Sequence, residues 1–157
     1  MDDDDITREL EAALAARDAA ALRRLLSIAG AFGWSVAWAP VFAKLIVEPW
    51  HAQQEELASA LQDLRDPASI DALFAVAHDA APYSDVDDGR ALARKCVWAL
   101  HDIGTPAAQA QLARLTTDAG DAETRRHATK KLAELAARAP DAPPEPYRIA
   151  RDRKVRR

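Results

Sequence analysis

The sequence predicts an all-α fold, built as an α-solenoid of stacked antiparallel helix pairs with about eight helices. Alanine and leucine, which head the ranking of helix propensity, account for 37 and 16 of the 157 residues. The β-branched and aromatic residues that favour strands are few. Five glycines and nine prolines fall almost wholly between segments of helical periodicity, and part of the chain repeats itself.

Glycine and proline delimit the first four predicted helices. These helices cover about residues 6–16, 18–29, 40–47 and 51–64, with a turn over 31–39. The stretch 25–47 has Lys44 as its only charge and would alone resemble a membrane span. Because glycines and Pro40 interrupt it, we expect two short buried helices there and no membrane contact.

Helix-start signals define the last four helices. Asp66-Pro67 and Thr105-Pro106 each combine a capping side chain with a proline that needs no donor. The fifth and seventh helices are expected to follow them. Gly104 should end the sixth helix, and Asp121 should cap the eighth.

The chain divides into one domain and a tail. Residues 1–138 are expected to form a single solenoid domain. Four prolines between residues 140 and 146 forbid helix, so we expect residues 139–157 to be a proline-rich linker and a disordered basic tail.

Charge is unevenly distributed along the chain. The net charge of −4 combines −9 over residues 1–146 with +5 over residues 147–157, where six Arg or Lys accompany one Asp. An acidic body argues against broad nucleic-acid contact, which leaves only the tail as a nucleic-acid-binding element. The acidic start, Met-Asp-Asp-Asp-Asp, is the opposite of a signal peptide, which favours a cytoplasmic protein.

Two segments match each other at an offset of 39 residues. The matched pairs are Ala60 and Ala99, Leu61 and Leu100, Asp63 and Asp102, Leu64 and Ile103, Pro67 and Pro106, and Leu73 and Leu112. A repeat of two helices at this period is typical of an α-solenoid, whose units stack to share one core.

Residues 57–73 and 92–112 resemble HEAT repeats, in particular the short bacterial kind named after phycobilin lyases. Pro49-Trp50-His51 and the segment from Lys95 to Leu100 resemble small stand-alone bacterial HEAT proteins. The resemblance implies the solenoid fold. Members of the family include scaffolds, chromophore lyases, DNA glycosylases and inhibitors or immunity proteins, so the resemblance leaves the function open.

The group nearest to a metal or catalytic site is His51 with Glu55 and Glu56. One His and one Glu on a helical face supply too few ligands for zinc, so we interpret the acids as favourable charges in a first helical turn. Shifted by 39, these acids meet Arg94 and Lys95. We therefore expect Glu56 near Lys95, or Glu55 near Arg94.

Three further features could suggest a functional site but have a structural explanation. Asp85, Asp87 and Asp88 lack the spacing of a calcium loop, and we interpret them as favourable charges at the start of the sixth helix. Cys96 lies on an apolar stripe, which predicts an inert buried thiol. Tryptophans around the third helix should mostly fill the core, with Trp34 the one expected to be exposed in a turn.

The sequence therefore favours a non-enzymatic protein-binding solenoid without cofactor, metal or catalytic residues, and its concrete form is an immunity protein for a bacterial toxin. The alternatives are a lyase-type or glycosylase-like repeat enzyme, or a nucleic-acid-associated factor acting through the tail. The predicted partner-binding residues are Trp34, His51, Asp71, His78, Tyr83, Asp85, Asp87, Gln111 and Arg114.

Overall fold

The computed structural model describes residues 1–138 and the backbone of Val155–Arg156. Eight α-helices lie within residues 1–138, as the sequence predicts. They are α1 (Asp3–Ala16), α2 (Ala19–Phe32), α3 (Ala39–Ile46), α4 (Gln54–Leu64), α5 (Ile70–His78), α6 (Arg90–Ile103), α7 (Pro106–Asp118) and α8 (Ala122–Ala136). Two short strands, β1 (Trp34–Ser35) and β2 (Val155–Arg156), complete the described elements.

Side-chain caps begin several of these helices. The Asp2 carboxylate accepts the Asp5 amide in a capping box, and the Asp18 carboxylate accepts the Ala21 amide at the start of α2. The predicted caps of α7 and α8 are confirmed: Thr105 accepts the Ala108 amide, and Asp121 accepts the Thr124 amide. A third predicted cap, Asp66, accepts the Ala68 amide and begins the 3-10 turn Pro67–Ser69, which leads into α5.

The last six helices form two rows. In one row α4 contacts α6, and α6 contacts α8; in the other α3 contacts α5, and α5 contacts α7. Across the rows, α3 packs on α4, α5 on α6, and α7 on α8. All eight helices contribute buried side chains to one continuous hydrophobic core, which begins at Ile6 and ends at Leu135.

Trp34 lies inside this core, so the prediction that it is exposed is wrong. Its side chain is 0% exposed, and its ring meets the ring of Phe42 edge to face at 5.6 Å. Gly30 in α2 makes room for it, because a Cβ there would lie 3.2 Å from the Trp34 ring. Trp38 is equally buried and contacts Phe42 from another side. Aromatic packing against Phe42 therefore keeps the turn that carries Trp34 and Trp38 in contact with the core.

Helix α4 starts three residues later than the sequence predicts. The expected start was residue 51, but the backbone becomes helical only at Gln54. His51 instead holds the corner between α3 and α4 with its ring nitrogens. The expectation that His51 and Glu55 share a helical face is therefore wrong.

Most of the segment 139–157, with its expected disorder, lies outside the described residues. Two of its residues, Val155 and Arg156, form β2 and pair in parallel with β1. Along the described part of the chain, no helix combines the length and the apolar character needed to cross a membrane.

Gly89, immediately before α6, is required by its conformation and its surroundings. Its φ is +77°, and a Cβ there would lie 2.5 Å from the backbone oxygen of Ala80. We expect Gly89→Ala to lower the free energy of unfolding by more than about 2 kcal/mol, because a left-handed alanine and a backbone clash add together. Urea denaturation followed by circular dichroism would measure the change.

Gly120→Ala is the matched control for this substitution. The nearest atom to its added Cβ is the His78 oxygen at 3.6 Å, which is an ordinary contact. This variant should stay within about 0.5 kcal/mol of the wild type. Equal losses in the two variants would contradict the role assigned to Gly89.

Candidate partner-binding surface

Four of the predicted binding residues lie on two neighbouring helices. Asp71 and His78 are exposed on α5; on α7, Arg114 is exposed and Gln111 is half-buried. Asp71 and His78 are seven residues apart, and Gln111 and Arg114 are three apart, so each pair shares one side of its helix. Because α5 contacts α7, we name these four residues, with Phe74 and Asp118, the α5–α7 face.

A cation–π contact joins the two helices of this face. The guanidinium carbon of Arg114 lies 4.4 Å from the ring centroid of Phe74, and the Phe74 ring lies 5.7 Å from that of His78. Arg114 also donates to the Gln111 side-chain oxygen at 3.2 Å and approaches Asp118 at 3.9 Å. Together these contacts hold the Arg114 guanidinium in a defined position against the Phe74 ring.

Phe74 and Asp118 are the two members of the α5–α7 face that were not predicted from the sequence. Phe74 lies on the apolar stripe of α5, as a core residue would, but it is only partly buried and its ring contacts the Arg114 guanidinium. A signal was present, because Phe74 stands three residues after Asp71 and four before His78. A half-buried aromatic between exposed polar residues is typical of an interface.

Tyr83 and Asp85 lie in the loop that leaves α5 after His78. Together with His51, they line a pocket of about 300 Å³, whose other walls include Pro49, Gln54 and Leu92. Tyr83 is half-buried and Asp85 is exposed. The structure thus brings three predicted residues together at a second place, beside the α3–α4 corner.

The Asp87 side chain contributes to the structure at the start of α6. Its carboxylate accepts the backbone amide of Ala91 at 3.1 Å, in the first turn of α6. The interpretation that these acids favour the start of the sixth helix is therefore confirmed for Asp87. Its side chain remains on the exposed surface of the loop.

His51 is buried, and both of its ring nitrogens are engaged within the chain. Nε2 donates to the Leu45 carbonyl at 2.7 Å, and Nδ1 accepts the Gln53 amide at 3.1 Å. A carbonyl accepts and an amide donates, so these partners fix the neutral tautomer with the proton on Nε2. Neither nitrogen is available to a metal or a partner in this conformation.

Burial lowers the pKa of His51, and the hydrogen bond to the Leu45 carbonyl offsets this effect only in part. Gln54, which stands next to this corner, donates to the Glu48 carbonyl at 2.7 Å. His51 and Gln54 therefore stabilise the connection between α3 and α4. Trp34, in the core, and His51, in this corner, are both buried, and their part in partner binding stays a prediction.

A second polar cluster, which the sequence did not reveal, joins α6 and α8. Nδ1 of His101 lies 3.0 Å from the Asp102 carboxylate, and Nε2 lies 3.5 Å from the Glu134 carboxylate. The group borders an open pocket of about 530 Å³ that Trp98 and Lys131 also line. His101 and Glu134 are 33 positions apart, so no local pattern indicates their contact.

Asp102 is held in its charged form by this cluster. Burial alone would raise its pKa, but hydrogen bonds from His101 and from the Gln62 amide group at 2.8 Å outweigh that effect, and the pKa lies below its ordinary value. Gln62 belongs to α4, so the Asp102 carboxylate also links α4 to α6.

An ion pair links the same two helices near their other ends. Nζ of Lys95 lies 3.9 Å from the Glu55 carboxylate, and both side chains are partly exposed. The sequence predicts Glu56 near Lys95 or Glu55 near Arg94, whereas this ion pair joins Glu55 to Lys95. At this exposure it contributes less than about 1 kcal/mol.

Neither the cysteine nor the acidic and histidine side chains form a reactive or metal-binding site in the described residues. Cys96 is completely buried, as predicted, and burial raises the pKa of its thiol. Within the described residues, no cluster of three or more His, Cys, Asp or Glu side chains is arranged to hold a metal ion.

Comparison with known proteins gives no match: neither a family model, nor a curated protein, nor a solved structure is similar to this chain. The surface described above is therefore interpreted from its own geometry.

The buried neutral His51 should make stability depend on pH. Because its pKa is lower in the folded than in the unfolded chain, the unfolded chain binds the proton first as pH falls below about 6.5. The free energy of unfolding should therefore decrease from pH 7 downward, until the folded pKa is passed. Urea titrations between pH 8 and pH 5 would show a shallower decrease for His51→Gln.

His78→Gln is the control, because His78 is an exposed residue. Its pH profile should follow that of the wild type. The assigned role of His51 would be contradicted if His51→Gln kept the full slope between pH 7 and pH 5.

Asp102 should add a separate pH dependence at lower pH. Its pKa is lowered by folding, so the stabilisation it gives is complete above about pH 4 and is lost as pH falls through the folded value. Asp102→Asn should therefore flatten the acid limb of the stability profile and lower stability at pH 7. If the profile kept its slope in this variant, other carboxylates would account for the acid limb.

Proposed function

We propose that this chain is a HEAT-like α-solenoid unit that binds another protein through its α5–α7 face. The observation that carries the proposal is the exposed Arg114, held over Phe74 between two adjacent helices. Arginine and aromatic residues with a fixed geometry are the residue types that contribute most to protein–protein affinity.

The agreement between the repeat and the burial pattern supports the solenoid part of the proposal. Two of the matched pairs have equal burial: Leu61 and Leu100 are both 0% exposed, as are Leu73 and Leu112. The two rows of helices, with α4 beside α6 and α5 beside α7, place the matched segments next to each other. Stacked helical units of this kind present long surfaces to partners.

The chemistry of the face supports a protein as the partner. Arg114 and Phe74 supply a central contact, and Asp71, His78 and Gln111 supply hydrogen-bonding groups around it. A desolvated centre with a polar surround is the usual anatomy of a specific interface. The half-buried Tyr83 in the neighbouring loop extends the surface beyond the end of α5.

The charge of the body favours a basic partner. Residues 1–146 carry −9, which would accelerate association with a cationic protein and repel an acidic one. A concrete form of the proposal is an inhibitor or immunity protein for a basic, nuclease-type toxin. Its association rate should then fall as salt is raised.

The experiment is site-specific photo-crosslinking with the full chain. A photoreactive residue replaces Gln111 on α7 or, in a separate variant, the exposed Thr129 on α8. Position 111 should give a crosslinked product of one defined mass in native lysate, and position 129 should not. Crosslinks from position 129 alone would contradict the proposed surface.

Charge reversal on the face provides the quantitative test. Arg114→Glu should weaken the isolated partner's affinity at least about tenfold, a loss of about 1.4 kcal/mol, because it removes the stacked cation. Arg126→Glu, at an exposed position on α8, has the same charge change and should leave affinity nearly unchanged. Long-range electrostatics alone would make both variants bind a cationic partner more tightly, so a gain of affinity in Arg114→Glu would contradict contact at Arg114.

A further inference from the structure

Residues near the C-terminal end of the sequence pair with residues 34 and 35 in a short parallel sheet. Trp34 in β1 is in register with Val155 in β2, and Ser35 is in register with Arg156. This pairing is separate from the α5–α7 face and is not explained by a role in partner binding. It uses backbone groups that would otherwise form an open strand edge.

Contacts with the rest of the domain fix the extended conformation of β1, so its backbone can pair with another strand. Gly33, with a φ of +96°, ends α2 and turns the chain into the extended conformation found at Ser35. The Trp34 side chain is buried in the core, and the Ser35 hydroxyl donates to the Asp3 carboxylate. Because its side chains are engaged on the body, β1 can bind a partner through its backbone without first becoming ordered.

The residues that flank β1 offer an apolar surface. Phe32 is 70% exposed just before the strand, and Val36 is 39% exposed just after it. Large exposed apolar side chains beside a strand edge are what an added strand contacts in addition to its hydrogen bonds.

Electrostatics determines which segment suits this edge. Asp3, bonded to Ser35, belongs to a run of four aspartates at residues 2–5. Residues 147–157 contain six Arg or Lys and one Asp, so they have the complementary charge. β2 lies within that basic segment, and its register places the Arg156 backbone beside Ser35.

We propose that the β1 edge is a binding site for an extended basic segment, and that its occupant is the C-terminal segment 147–157 of the same chain. Backbone pairing with β1 sets the register, and the aspartates near Asp3 supply the charge complementarity. While β2 is paired, this edge of β1 is closed to any other strand. Release of the segment would expose the edge.

The test uses proline substitutions in the full-length protein. Successive N–H groups of a strand point to opposite edges, so one of the two β2 residues directs its N–H toward β1. Both Val155→Pro and Arg156→Pro are therefore made, and amide hydrogen exchange at Trp34 and Ser35 is measured by NMR. At least one of the two variants should exchange about tenfold faster than the wild type at the one of these two amides that faces β2.

Ala150→Pro is the matched control, because it introduces the same residue outside β2 without changing the charge. It should keep the wild-type exchange rates at Trp34 and Ser35. Raising the salt from 20 to 500 mM should accelerate wild-type exchange there, since screening weakens the attraction to the aspartates. The proposal is overturned if both β2 variants keep the wild-type rates.

A peptide of residues 147–157, added to the faster-exchanging variant, should restore the wild-type chemical shifts of Trp34 and Ser35. A peptide with the same composition in scrambled order should bind more weakly. The cis assignment also requires that protection does not depend on protein concentration. A dimer that is lost in Val155→Pro or Arg156→Pro would overturn it and would make the occupant a second copy of the chain.

Discussion

The structure depends on the burial of leucine and alanine between helices that are too short to be stable alone. The helices have between 8 and 15 residues, and isolated helices of that length are marginal in water. Their stability must come from the shared core, where Leu61, Leu73, Leu100 and Leu112 are all 0% exposed. Each such leucine would cost about 2–5 kcal/mol on truncation to alanine. Buried alanines let neighbouring helices approach closely, so the abundance of alanine is a packing requirement as well as a helix signal.

The corners between helices fix how the rows align. His51 connects the Leu45 carbonyl near the end of α3 to the Gln53 amide before α4, and this bridge stabilises the connection between the two helices. Gly89 allows the chain to pass against the Ala80 backbone before α6 starts. Such positions have few alternatives, because their atoms satisfy buried backbone groups or avoid a clash. The helices themselves tolerate more, since apolar side chains of similar volume can replace one another.

Features that depend on residues close together in the sequence could be predicted, whereas contacts between residues far apart in the sequence could not. Helix number, the caps at Thr105 and Asp121 and the burial of Cys96 follow from spacing within a few residues, and the structure has them all. Trp34 could not be placed in this way, because its burial depends on Gly30 making room and on Phe42 lying beneath it. The α5–α7 face was half predictable: the expectation that the second helix of each pair lines the binding surface selected Asp71 and Arg114, but the contact with Phe74 requires knowledge of how two helices pack.

The distribution of charge connects the two surfaces. When the basic segment is bound at β1, its cations lie beside the acidic body and the net charge near the body is −4. When the segment is released, the body carries −9 and the cations lie farther from it. Cations that lie farther from the body than the Debye length, about 8 Å at physiological salt, no longer offset the negative field that an approaching partner meets at its surface. A cationic partner approaching Arg114 and Phe74 would be attracted more strongly by the released form, although no residue of the α5–α7 face changes. Occupancy of the β1 edge would therefore alter the rate of association at a distant surface through charge alone, without a conformational path between the two sites.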